Sequence, residues 1–210
     1  MSACGCGDIK FDGATPAYRR ALITVIAINA IMFVVEMTAG IRGQSMALQA
    51  DALDFLGDTA TYALSLWVIG KSMRMRASAA MFKGISLGAL GLWVFGSTAY
   101  QVFVHGMPEP LIMTSIGALA FVANAASALI LLKFKDGDSN VRSVWLCSRN
   151  DAIGNLAVIA AAGAVVLTGT AWPDLIVAAI MATLFLQGAF SILRQASAEL
   201  ADEAAPGPAE

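Results

Sequence analysis

The chain has 210 residues, 58% of them hydrophobic and 13% charged, with a formal net charge of −2. Soluble domains carry about 25% charged residues, so this composition excludes an ordinary soluble domain. Its mean hydropathy is +0.72. The apolar surplus lies in long runs, which is the signature of membrane spans.

Residues 1–19 form a polar arm with no apolar stretch of signal-peptide type, so no secretory signal is expected. The arm carries Cys4-Gly5-Cys6, a weak soft-metal hook. With Cys147 these are three cysteines, too few and too scattered for a disulfide framework. Apolar runs then predict an all-α membrane domain over 20–195, with six spans at 20–41, 46–70, 80–104, 111–133, 142–168 and 173–194. Each is close to the ~20 residues that cross the hydrocarbon core. The second span and the start of the fifth are interrupted by charges. They still read as spans, because the charged residues share one face and Ala, Leu, Ile, Val and Trp cover the rest. Residues 196–210, rich in Ala, Pro and acids, predict a short disordered tail.

Lys and Arg set the expected orientation. Lys10, Arg19 and Arg20 precede span 1; Lys71, Arg74, Arg76 and Lys83 flank the 2–3 connection. Lys133, Lys135, Arg142 and Arg149 flank the 4–5 connection, and Arg194 closes span 6. The opposite side holds Arg42. The positive-inside rule then puts both termini in the cytoplasm.

Chemistry concentrates in spans 2 and 5. Asp54 and Asp58 are four apart, as are Cys147 and Asp151, so each pair shares a helix face one turn apart. Asp51 joins the first stripe and Asn155 the second. Carboxylates in a span are expensive and point to function by default. Three anions on one stripe repel unless protons or a cation neutralise them. The bland alternative is a water-facing stripe. A lone Cys147 reads as a small buried residue; opposite the carboxylates it reads as a ligand. Thiolate with carboxylates suits Zn²⁺ and softer Cd²⁺ and disfavours Mg²⁺ and Ca²⁺. Arg149 points to another face and reads as a snorkelling cation.

Other polar residues are less specific. Glu36 and Asn29 share a face of span 1 and either line a pathway or bond a neighbouring helix, and Asn124 in span 4 reads the same way. Gly84 and Gly88 permit close helix packing, either within the chain or between copies. His105, the single histidine, reads as a surface-loop residue. No phosphate-binding loop and no nucleophile–base constellation is present, so neither ATP-driven work nor enzyme catalysis is expected.

These motifs together resemble the cation diffusion facilitators, six-span antiporters of divalent metals and protons. The matching residues are Gly43-Gln44-Ser45-Met46-Ala47-Leu48, then Asp51-Ala52 and Asp54 with Asp58 in span 2. Cys147 with Asp151-Ala152-Ile153-Gly154 in span 5, Asn124, and Trp172-Pro173-Asp174 at the start of span 6 complete the match. It covers roughly residues 20–195. Cys147 departs from the family's usual His or Asp, and Lys133-Phe134-Lys135-Asp136-Gly137-Asp138 stands where many members have a histidine-rich loop. The chain reads as a short member without the family's cytoplasmic C-terminal domain, so dimerisation would fall to the membrane helices.

The resemblance implies efflux of Zn²⁺ or Cd²⁺ by proton-coupled alternating access, with Asp54, Asp58, Cys147 and Asp151 as the transport site. Asp51, Asn155, Glu36, Cys4 and Cys6 are secondary candidates. The metal is substrate, and no resident cofactor is expected. The expected partners are metal ions, protons, the bilayer of a bacterial inner membrane and a second copy of the chain, with no nucleic acid. Transport of Fe²⁺, Mn²⁺ or Co²⁺, or metal sensing without transport, are the alternatives.

Overall fold

A computed structural model describes residues 15–67, 73–104, 106–136 and 139–204. Its six helices are α1 (Pro16–Arg42), α2 (Met46–Trp67), α3 (Met73–Val104), α4 (Pro110–Leu131), α5 (Ser139–Thr168) and α6 (Trp172–Ala204). A short 3₁₀ turn, Leu132–Phe134, follows α4. Among the described residues there is no strand. Five helical segments are long and apolar enough to cross a membrane, with mean hydropathy reaching 2.1 in α1 and α6. α2, which carries the three aspartates, is the helix that falls short of that standard.

Local chemistry sets the helix ends. Thr15 caps α1 by accepting the Tyr18 N–H at 3.3 Å, and Pro16 takes the first helical position, where its missing N–H costs nothing. α1 closes in a turn. The Gly43 N–H donates to the Ala39 carbonyl at 2.7 Å and the Ser45 N–H to the Gly40 carbonyl at 3.0 Å, with Gln44 at φ +51°. That turn is tied to the α3–α4 connection by the Glu109 N–H, which donates to the Gly43 carbonyl at 2.8 Å.

Two helix groups result. α1 packs on α2 and α4, and α4 on α5. α3 and α6 form their own pair, and α2 bridges the groups by touching α3, α5 and α6. The outside is apolar: Ile31 and Val34 of α1, Phe82 and Phe95 of α3, Leu129 of α4 and Phe190 of α6 are exposed. The inside holds Asn29, Glu36, Asp51, Asn124, Asn155 and Asp174. This arrangement suits a lipid solvent. Lipid tails give apolar side chains no reason to hide, so packing and polar contacts hold the helices together.

The α3–α6 contact shows how close that packing is. A Cβ on Gly84 would lie 2.8 Å from Leu193, and one on Gly91 3.1 Å from Leu186, while Gly88 faces Ala189 at 3.5 Å. Of the two roles open to Gly84 and Gly88 in the sequence, the structure thus gives them an internal seam.

Several expected boundaries move, and α1 begins at Pro16, four residues before the expected 20. α3 begins at Met73, seven residues before the expected 80, and α5 at Ser139 rather than 142. α6 continues to Ala204, so residues 196–204 are helical where a disordered tail was expected. The reason is the same in α3 and α6: Met, Arg and Ala, or Ala, Glu and Leu, are strong helix formers that extend a helix beyond its apolar segment. Cys4, Cys6 and His105 lie outside the described residues.

Candidate metal centre

Four helices line one cavity of about 620 Å³, and three of them bring polar residues to it. α2 contributes Asp51, Asp54, Gly57, Asp58 and Thr61, and α5 contributes Cys147, Asp151 and Gly154. Both sets follow the three- and four-residue steps of one helix face. α3 adds Lys83, Ser86, Leu87 and Leu90, and α6 supplies apolar walls such as Met181 and Phe185.

The four expected ligands, Asp54, Asp58, Cys147 and Asp151, all line this cavity and are half-buried. Asp151 is the meeting point, because Asp54 and Asp58 both come within hydrogen-bonding reach of its carboxyl group. Carboxyl groups that approach this closely need a proton or a cation between them. Cys147 is a free thiol on the same wall. As the side chains stand, no group of three or more His, Cys, Asp or Glu among the described residues surrounds a common ion position.

Asp58 is held by Tyr62, one turn further along α2, whose hydroxyl donates to the Asp58 carboxylate. The same hydroxyl lies 3.4 Å from the Ser148 hydroxyl and 3.5 Å from the Val144 carbonyl oxygen, both on α5. Tyr62 is fully buried and packs with Tyr18, Leu22, Val25, Leu131 and Val144, with Cys147 against the edge of that cluster. One side chain therefore ties the candidate-ligand stripe of α2 to that of α5.

The N-terminal end of α2 is held by Asp174 in the first turn of α6. Its carboxylate accepts from the Ser45 hydroxyl at 2.6 Å, the Met46 N–H at 2.7 Å and the Ala47 N–H at 3.2 Å. Ser45 in turn accepts the Leu48 N–H at 3.1 Å. A helix start exposes unpaired N–H groups and a partial positive charge, and this carboxylate satisfies both inside a buried corner.

The secondary candidates separate. Asp51 lines the cavity but is almost fully buried, and it faces Glu36 of α1. Both Glu36 oxygens and Oδ2 of Asp51 lack hydrogen-bond partners among the described residues. Asn155 is buried away from the cavity lining, with both amide atoms unpaired among the described residues. Arg149 stacks over Trp145 at 5.2 Å and donates to Asn150, on the exposed face expected for it.

Sequence reading missed three participants. Tyr62 was visible only as i+4 from Asp58, and Ser148 as a neighbour of Cys147. Lys83 read as a flanking positive charge, yet it lines the cavity beside Asp58 and Cys147.

The chain matches known transport proteins over nearly its whole length. The family model of the cation efflux transmembrane domain matches residues 22–201. The metal cation efflux system protein CzcD of Cupriavidus metallidurans is 24% identical over 83% of this chain and 59% of its own length. Zinc transporter ZitB of Escherichia coli is 25% identical over 88% of the chain and 63% of itself. The cadmium, cobalt and zinc/H(+)-K(+) antiporter of Bacillus velezensis is 25% identical over 89% of the chain and 63% of itself. The chain thus spans less than two thirds of the length of these relatives.

Proposed function

Because the chain belongs to the cation efflux transmembrane domain family and is an integral membrane protein, we propose that it exports divalent transition-metal ions, Zn²⁺ or Cd²⁺, in exchange for protons. The observation that carries this reading is the convergence of Asp54 and Asp58 with Cys147 and Asp151 on one cavity among apolar helices. An inward-facing cavity takes the ion from the cytoplasm. The carboxyl groups and thiol lose protons as they bind it, since metal ligands must be deprotonated. The helices then turn the cavity to the other side, where protons compete the ion off. An ion entering between Asp54, Asp58 and Asp151 takes the place of protons on those groups, and Cys147 completes a set of four donors, the number zinc prefers.

In this reading all six helices span a bacterial inner membrane, with both termini in the cytoplasm. α2 is tolerated there because its aspartates face the cavity and its neighbours cover the rest. Two copies associate through membrane helices. The names of the Escherichia coli and Bacillus velezensis relatives support zinc, cadmium and cobalt as the metal class.

The test is flux in proteoliposomes containing a metal-sensitive dye. Zn²⁺ and Cd²⁺ entry is expected to exceed that of empty vesicles and to rise when the proton gradient opposes the metal gradient. Flux equal to empty vesicles sinks the transport reading, and tight binding without flux identifies a membrane metal sensor instead. Cys147→His is expected to shift the Zn²⁺/Cd²⁺ preference toward Zn²⁺ by about tenfold, because imidazole is a harder donor than thiolate. Unchanged selectivity removes Cys147 from the ligand set.

A further inference from the structure

Lys83 is a costly residue in an unexpected place. It sits six residues inside the apolar segment Ala77–Val104, about 9 Å along the helix axis. A lysine at that depth ordinarily snorkels toward the interface. Here the packing of α3 decides otherwise. Gly84, Gly88 and Gly91 take the face pressed against α6. The neighbouring stripe, Lys83, Ser86, Leu87 and Leu90, is thereby turned into the cavity. Lys83 lines the same cavity as Asp58 and Cys147, one group from each ligand-bearing helix, and its charge acts on both across that space.

We propose that Lys83 is an affinity-setting positioning residue of the transport site: a tethered cation that shares the negative charge of Asp58 and Cys147 and opposes a divalent ion in the cavity. This rests on the metal-transport reading above. A carrier needs an ion held firmly enough to be captured and loosely enough to leave. Three carboxylates and a thiolate carry more negative charge than one divalent ion cancels, and in a low-dielectric cavity such a set would hold the ion too tightly. A fixed ammonium reduces that excess. It acts on a doubly charged ion with twice the force it exerts on a singly charged one. When the ion departs, the same ammonium remains beside Asp58 and Cys147 as part of their counter-charge. Lys83 needs no bond to the metal for this, and its role is carried by charge rather than by shape.

Binding of Zn²⁺ to the purified protein by calorimetry, together with Zn²⁺ flux in proteoliposomes, tests the idea. Lys83→Gln is expected to tighten Zn²⁺ binding and lower KM by about tenfold or more while slowing turnover at saturating metal. Lys83→Arg, which keeps the charge, is expected to stay within about threefold of the unaltered protein in both. Ser86→Lys, adding a second cation to the same stripe, is expected to weaken binding. If Lys83→Gln leaves both affinity and turnover within twofold, or Lys83→Arg changes them as much as Lys83→Gln does, the proposal is wrong. Should Lys83→Gln not survive purification, Ser86→Lys decides: binding as tight as in the unaltered protein overturns the idea. An unaltered protein that neither binds nor moves Zn²⁺ or Cd²⁺ sinks the transport reading itself, whereas failure confined to the variants sinks the role of Lys83 alone.

Discussion

Asp151→Asn is expected to abolish Zn²⁺ and Cd²⁺ flux, with a loss of roughly 100-fold or more, while the protein remains folded. Asp151 is the carboxyl group that both Asp54 and Asp58 reach. The amide keeps the shape and one acceptor oxygen but carries no negative charge. A divalent ion would lose an anionic ligand at the centre of the set, and 100-fold corresponds to about 2.7 kcal/mol. The measurement is flux per folded protein, with folding judged by a single symmetric peak in size-exclusion chromatography. Full flux from Asp151→Asn would falsify the ligand assignment, because Asp151 is the carboxylate that α5 brings to the cavity opposite the two aspartates of α2. Asp58→Ala is a companion case with the same expected direction, and it also strips Tyr62 of its partner.

Asp174→Ala is expected to cost about 3 kcal/mol or more of stability. The change leaves the Ser45 hydroxyl and the N–H groups of Met46 and Ala47 without their acceptor. Ser45 and Ala47 are fully buried and Met46 is 4% exposed, so water has little access to replace the carboxylate. Each orphaned buried donor costs about 1–3 kcal/mol. Asp174→Asn keeps one acceptor oxygen and should fall between the two. Membrane proteins often unfold irreversibly, so the comparison belongs to half-lives at a fixed temperature in detergent. Equal half-lives for the alanine variant and the unaltered protein would show that α2 does not depend on this contact. Flux should fall along with stability, since α2 carries Asp54 and Asp58 from that anchored end.

Much of the fold was legible because a bilayer constrains a sequence severely. Backbone groups in lipid must be satisfied within the helix. A run of apolar residues of sufficient length therefore predicts a helix, and five of the described helices fall where such runs do, with α2 short of that standard. The ends were less legible. Hydropathy reports where lipid stops, while helices such as α3 and α6 stop where backbone propensity runs out. The expected disorder at 196–204 failed for that reason: Gln195-Ala196-Ser197-Ala198-Glu199-Leu200 lacks a long apolar run and is still helical.

The candidate ligands were legible through period alone. Asp54 with Asp58, and Cys147 with Asp151, need only the 3.6-residue turn to share a face. Tyr62, Asp174 and Lys83 are different. Tyr62 links α2 to α5, Asp174 is 129 positions from Ser45, and Lys83 shares a cavity with Asp58 and Cys147 across helices. No local period relates residues that far apart. The glycine seam was half legible: its small-residue step showed in the sequence, and its partner did not.

By itself, then, the sequence determined where the helices lie apart from their ends, that five of them are apolar enough for lipid, and which four residues form two paired stripes, since these follow from burial cost and helical geometry. Tertiary structure alone decided that the stripes of α2 and α5 open onto one cavity, that Asp151 receives both aspartates, and that α3 turns Lys83 inward. Those outcomes depend on how helices rotate about their own axes. That rotation is set by side-chain packing such as Gly84 against Leu193, a contact between positions more than a hundred residues apart.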